Sequence, residues 1–197
     1  MNLPNRISLI RIFLAIIIVG ILIFPFDATG IITYKIFINE SIVIDIKYII
    51  AGVLFIIASL TDTLDGHLAR KYNMVTDLGK MLDAIADKIL VNSVLIILAT
   101  SGFIHPIIPV IIVSRDTIVD IIKMIAGSKG KVVGAIKLGK VKTVFMMIGI
   151  VLTLFYNLPF ELFNIRIAEI FLIVACILSI ISAAEYYKLN KKLILKD

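Results

Sequence analysis

The chain has 197 residues, 60% of them hydrophobic, with a mean hydropathy of +1.09. An ordinary soluble domain is about 45–50% apolar, which excludes a disordered chain and disfavours a water-soluble globule. Lys and Arg outnumber Asp and Glu by 20 to 14, and in so apolar a chain that surplus points to an anionic membrane surface rather than to nucleic acid.

The first segment opens with the turn-forming Asn2-Leu3-Pro4-Asn5, and Pro4 suits the first turn of a helix. Arg6 and Arg11 precede an apolar run that ends at Phe26. A signal peptide starts similarly, but no small-residue cleavage site follows and five further apolar spans do. Residues 27–47 mix charges with apolar residues and read as a loop with a short interfacial piece. The second helix, 48–61, runs without a breaker into Asp62-Thr63-Leu64-Asp65-Gly66, so it ends in carboxylates. After a polar stretch, the third helix covers 78–100, with Asp83, Asp87 and Lys88 in its first half and Ser101-Gly102 as its stop.

The fourth helix, 103–126, is interrupted by Arg115, Asp116, Asp120 and Lys123. A basic segment with Lys129, Lys131, Lys137, Lys140 and Lys142 leads to the fifth span, 143–158. The sixth span, 165–187, precedes a lysine-rich tail. At about 20 residues per span, the length accommodates a six-transmembrane-helix bundle, all-α and polytopic, as a single domain over 1–197. Cys176 is the one cysteine, so no internal disulfide is possible. Both termini, the 67–80 loop and the 127–142 loop hold 14 of the 20 Lys and Arg, whereas the opposite side holds Lys35, Lys47 and Arg166. That asymmetry places both termini in the cytoplasm.

Asp62 and Asp65 are three apart, and Asp83 and Asp87 are four apart, so each pair shares a helix face. The short connection between the two helices makes them antiparallel neighbours, and the four carboxylates can converge near the cytoplasmic boundary. Four like charges at low dielectric repel one another. Two divalent cations would cancel them, and oxygen ligands suit Mg²⁺ or Mn²⁺. Such a pair can clamp the attacking and leaving oxygens of a phosphoryl displacement. The alternative is that these Asp are solvated helix ends or pair with Arg70 and Lys88. Gly66 permits close approach beside Asp65, and Gly79 lies four before Asp83, where it serves either helix packing or the site.

Residues 62–87, DTLDGHLARKYNMVTDLGKMLDAIAD, match D-x-x-D-G-x-x-A-R, eight residues, G-x-x-x-D-x-x-x-D without a gap. On this run the chain resembles the CDP-alcohol phosphatidyltransferase family. NLPNRISLIR at the start, ADK at 86–88, SRD at 114–116, LGKVKT at 138–143 and EYY at 185–187 extend the resemblance to the bacterial members that make phosphatidylglycerophosphate. The resemblance implies Asp62, Asp65, Asp83 and Asp87 as ligands of two metal ions and Asp87 as general base. It implies that Asn5, Asp62, Asp65, Gly66, Ala69, Arg70 and Gly79 shape a CDP site. It further implies CDP-diacylglycerol as donor, a homodimer, and a cytoplasm-facing site in the plasma membrane.

Glycerol 3-phosphate is the expected acceptor, and its phosphate needs cations. Arg115, mid-helix, is the first candidate, with Lys137, Lys140 and Lys142 beside the fifth helix. Against this, Arg115 could pair with Asp116 or Asp120, Lys123 with Asp120, and Glu185 could be a structural ion-pair partner. Departures from the family pattern are Ala84 after the third Asp, Asp116 where Glu is common, Lys123 where Arg is common, and Phe145-Met146 in place of a Gln. Competing readings are the same chemistry on inositol phosphate, serine or phosphatidylglycerol, a cation or proton transporter, and a membrane scaffold.

Overall fold

The computed structural model describes residues 3–30, 34–38, 42–71, 76–131, 133–134 and 136–194; the side chains of 3–4, 27, 62–71, 77–78, 80 and 192–194 lie outside that description. Six long helices dominate: α1 Leu3–Ile23, α2 Ile46–Lys71, α3 Asp77–Thr100, α4 Ile107–Ser128, α5 Lys137–Leu154 and α6 Ile167–Ile194.

Helix α1 packs against both α2 and α3, and α6 packs against both α4 and α5. These two trios meet where α3 touches α4 and α5, and where α2 touches α5. The sequence suggests α2 and α3 as direct neighbours, yet among the described residues α1 is the main partner of each. Chain direction alternates. Asn5 at the start of α1 meets Thr76 at the start of α3, and Tyr186 late in α6 meets the backbone before α5. Tyr48, Phe103 and Tyr156 cluster at the opposite end.

Several boundaries differ from the sequence reading. Residues 27–47 are not simply a loop. They contain a 3₁₀ turn, Asp27–Thr29, and an antiparallel hairpin of β1 Lys35–Ile38 and β2 Ile42–Asp45, in register from Lys35 opposite Asp45 to Ile38 opposite Ile42. The β-branched and aromatic residues of KIFI and IVID favour strand pairing, a non-local gain that the flanking charges conceal in a linear scan. Helix α2 continues past the carboxylates to Lys71, so Asp62 and Asp65 lie inside it rather than at its end. Helix α5 starts at Lys137, six residues before the expected position, because lysine is a good helix former even where it interrupts an apolar run.

Helices α1 and α6 carry stretches, Asn5–Ile23 and Ile167–Lys191, that are long and apolar enough to cross a membrane. Among the described residues α2 carries a shorter apolar stretch, Ile46–Thr61, and charged residues within α3, α4 and α5 keep those helices below that measure. The surface agrees with a membrane protein: Phe13, Ile16, Val110 and Ile180 are exposed on the helices, whereas Asn5, Ser8, Arg11, Lys142, Ser179 and Ser182 are buried. Apolar outside and polar inside is the arrangement that lipid favours and water does not. The core between the trios is aliphatic, with Leu90, Leu95, Leu98, Ile112, Ile150 and Leu154 fully buried.

Close approach of α5 and α6 depends on Gly149. A Cβ there would lie 2.8 Å from the Leu172 side chain and 3.3 Å from its backbone nitrogen. Gly20 on α1 has nothing within 4 Å of that position. Gly149→Ala is therefore expected to cost about 1–3 kcal/mol through overpacking, while Gly20→Ala leaves stability unchanged. Thermal melting of the two variants in detergent checks this, and equal melting temperatures would contradict the close contact.

Candidate functional site

At one end of the bundle the first turns of α1 and α3 lock together. Thr76 has extended backbone angles (φ −116°, ψ 153°) and caps α3, its Oγ1 accepting the Gly79 N–H at 3.0 Å. Such a cap satisfies one of the orphan donors of the helix N-terminus. The same hydroxyl donates to Asn5 Oδ1 at 3.2 Å. Gly79 leaves room for this: a Cβ there would sit 2.5 Å from Asn5 Oδ1 and 3.0 Å from Thr76 Oγ1. Asn5 and Gly79, both expected at the CDP site, are thus neighbours, and the glycine is needed for Asn5 rather than for helix–helix packing alone.

About two turns further along, Arg11 of α1 donates through Nη1 to Asp83 Oδ1 of α3 at 2.7 Å. The Arg11 side chain is only 1% exposed, whereas Asp83 is 49% exposed, so the carboxylate reaches the surface of the site with one oxygen held from behind. Asp87 lies one turn on from Asp83 and borders a cavity of about 210 Å³ between α3, α4 and α5. Around it stand Lys88, Arg115, Asp116, Asp120, Lys123 and Lys142, with Asn92 and Thr143.

Asp116 is the hub of the cavity's charged wall. Its Oδ1 accepts from Arg115 Nη1 at 2.8 Å and from Lys142 Nζ at 3.0 Å, and its Oδ2 lies 3.3 Å from the same Nζ. Arg115 also donates through Nη2 to Ser182 Oγ on α6 at 2.7 Å. Lys88 pairs with Asp120 across α3 and α4. Lys123 sits over the Tyr186 ring, 5.7 Å from its centroid. Lys88, Arg115, Lys123 and Lys142 against Asp87, Asp116 and Asp120 leave one net positive charge around the cavity.

The structure therefore brings together Asp87, Arg115 and Lys142, three residues expected to serve one reaction. Lys137 and Lys140, expected beside them, are exposed outside the cavity wall. They start α5, whose later turn turns Lys142 inward. Of the two partners open to Arg115, the structure selects Asp116; Asp120 takes Lys88 instead of Lys123. Glu185 does not fill its expected ion-pair role: its Oε2 is buried with no hydrogen-bond partner among the described residues. The side chains of Asp62, Asp65, Ala69 and Arg70, and the surroundings of Gly66, lie outside the described ones; their backbone places all five in the last turns of α2. Among the described residues no three of His, Cys, Asp and Glu form a metal-binding group.

Arg11 and Ser182 were not singled out by sequence reasoning. Ser182 had a signal: Ser179, Ser182, Tyr186 and Asn190 recur every three or four residues along α6, a polar stripe in an apolar helix. Arg11 had none, since its partner is 72 residues away.

Residues 1–181 match the family model for CDP-alcohol phosphatidyltransferase. The CDP-diacylglycerol–glycerol-3-phosphate 3-phosphatidyltransferase of Bacillus subtilis is 40% identical over 193 residues, covering 96% of this chain and 95% of the relative. The protein of the same name from Rickettsia felis is 32% identical, covering 97% and 96% of the two chains. That from Mycoplasma pneumoniae is 35% identical, covering 78% and 68%.

The Asn5–Gly79 contact gives a direct test. Gly79→Ala is expected to displace Asn5 and lower stability, and adding Asn5→Ala is expected to restore part of the loss. A double-mutant cycle on melting free energies should show a coupling of at least about 0.5 kcal/mol. Strict additivity would mean that the two residues do not share this space.

Proposed function

The chain belongs to the CDP-alcohol phosphatidyltransferase family, and from that membership we propose that it transfers the phosphatidyl group of CDP-diacylglycerol to sn-glycerol 3-phosphate. The products are phosphatidylglycerophosphate and CMP. One observation supports the acceptor above the others. The cavity that Asp87 borders is walled by Arg115 and Lys142, so a proton acceptor and two cations face one space. A phosphorylated alcohol needs both, its hydroxyl at the carboxylate and its phosphate at the cations.

In this reading Asp87 accepts the proton of the acceptor's primary hydroxyl as that oxygen bonds to the lipid-side phosphorus. The bond to the CMP oxygen breaks, and CMP leaves with the electron pair. Nothing in the displacement requires a covalent enzyme intermediate. Arg70 stands at the motif position expected to bind the pyrophosphate. Asp62, Asp65, Asp83 and Asp87 would hold two divalent cations, Mg²⁺ or Mn²⁺. The donor set fits hard cations, since it is all carboxylate oxygen and Asp83 keeps Oδ2 clear of the Arg11 hydrogen bond. When bound, such cations supply charge neutralisation at the pyrophosphate.

We place the enzyme in the plasma membrane with six spans, both termini and the active site in the cytoplasm. Support comes from the 14 basic residues of the termini and the 67–80 and 127–142 segments and from the cavity's position at the end where α3 and α5 start and α4 finishes. The homodimer is proposed on the family resemblance alone.

The deciding experiment measures CMP release from CDP-diacylglycerol in detergent with Mg²⁺, with and without glycerol 3-phosphate. Release that needs both substrates is the expected result. Release only with inositol phosphate, serine or phosphatidylglycerol would overturn the acceptor. Removal of the divalent cation by a chelator is expected to abolish turnover and its return to restore it. Asp87→Asn should lower kcat by roughly 10²–10⁴-fold, the usual weight of a general base, with little change in melting temperature. Turnover near wild type in that variant would remove Asp87 from the role.

A further inference from the structure

The proposed reaction explains why Arg115 and Lys142 face the cavity, but not why one carboxylate and one serine are spent on holding them. We infer that Asp116 and Ser182 are positioning residues, which fix the two cations in the arrangement that receives the acceptor's phosphate. This inference rests on the proposed acceptor.

A single polar chain crosses three helices. The Ser182 hydroxyl of α6 donates to the Ser179 carbonyl at 2.9 Å, which turns its lone pairs toward Arg115. Arg115 of α4 uses Nη2 for Ser182 at 2.7 Å and Nη1 for Asp116 at 2.8 Å. Asp116 then passes to Lys142 of α5 at 3.0 Å. Two of the guanidinium's nitrogens are pinned on different helices, so its plane is set. A bidentate bond to a tetrahedral oxyanion depends on that plane, which a swinging side chain would have to find on each encounter.

The chain is also incomplete in two respects. One carboxylate serves two cations, leaving a positive charge in surplus. The Nε–H of Arg115 is buried and has no hydrogen-bond partner among the described residues. A surplus cation and an unused buried donor are together a demand for an oxyanion. The cavity of about 210 Å³ beside them has room for a small phosphorylated alcohol.

Asp116 could instead act as a brake, since its negative charge opposes an incoming phosphate. The two roles predict opposite signs. Removing the charge alone would tighten phosphate binding. Removing the pin leaves two cations in contact at low dielectric, with the Lys142 side chain only 4% exposed. Their mutual repulsion drives them out of register, and that effect acts at shorter range than the relief felt by the phosphate. Ser182 carries no charge, so its removal reports positioning alone.

The test is steady-state kinetics of the full chain in detergent micelles, varying glycerol 3-phosphate and CDP-diacylglycerol separately. Asp116→Asn is expected to raise the KM for glycerol 3-phosphate roughly tenfold or more, and Ser182→Ala about threefold, because positioning passes on only part of the free energy of a hydrogen bond to a charged group. The KM for CDP-diacylglycerol stays within about twofold in both, and Asp116→Glu recovers part of the loss. A lower acceptor KM in Asp116→Asn makes the residue a brake and overturns the inference. Parallel rises in both KM values, or a fall in kcat alone, also overturn it. If Asp116→Asn does not purify folded, Ser182→Ala decides by the same ratio of KM values. A wild-type enzyme that releases no CMP with glycerol 3-phosphate overturns the acceptor and this inference together; a wild type that does, with no split in the variants, overturns the inference only.

Discussion

Charge that cannot reach water must find its counter-charge inside the bundle, and this requirement shapes the architecture. The helix exteriors are apolar, so Arg11, Arg115 and Lys142 point inward and meet Asp83 and Asp116. Each pairing ties helices together: α1 to α3 through Arg11, α3 to α4 through Lys88 and Asp120, and α4 to α5 through Asp116. Removing one partner from a buried pair typically costs about 3–5 kcal/mol, although replacing both by apolar residues is often neutral. Stability alone therefore gives no reason to keep these ions. Their concentration at one end of the bundle is what the proposed reaction would require there.

The other end uses different means. Tyr48, Phe103 and Tyr156 form an edge-to-face cluster with ring centroids 4.7–5.8 Å apart. Tyr156 and Asn157 both have positive φ, an uncommon backbone for residues with a side chain. The Asp45 N–H donating to the Tyr156 hydroxyl at 3.0 Å and the Asn157 side chain bonded to Glu161 and to the backbone at Ile165 and Ala168 hold that turn. This end joins the hairpin to the helices and is held by ring packing and amide bonds, while its ion pairs, Lys47–Asp45 at 3.8 Å and Arg166–Glu169 at 3.5 Å, link only residues two or three apart in the chain.

The sequence made the helices legible because apolar runs of this length have few other solutions. It made the carboxylate spacing legible too, because positions three and four apart share a face whatever the tertiary arrangement. It does not reveal that α1 is the main described partner of both α2 and α3, because proximity along the chain does not require proximity in space. The hairpin escaped because its stabilisation comes from a partner strand. Lys142 was legible as a cation but not as a buried one, because burial follows from Asp116 on another helix. Arg115 was read correctly as a costly mid-helix charge, while the Ser182 that orients it is unremarkable in composition and recognisable only by its helical register with Ser179 and Tyr186.

Between the charged cavity and the aromatic cluster lies the aliphatic layer of Leu95, Leu98, Ile150 and Leu154, each fully buried. A second cleft of about 470 Å³ opens on the far side, lined by Phe103, Tyr156 and Glu161 among others, and shares no lining residue with the first. The aliphatic layer is an electrical insulator. On the proposed function, a proton released at Asp87 or a phosphate held at Arg115 would face a steep desolvation barrier across this layer and an open return to the cavity's own side. A membrane can thus carry polar chemistry part-way into its thickness without discharging the gradient across it.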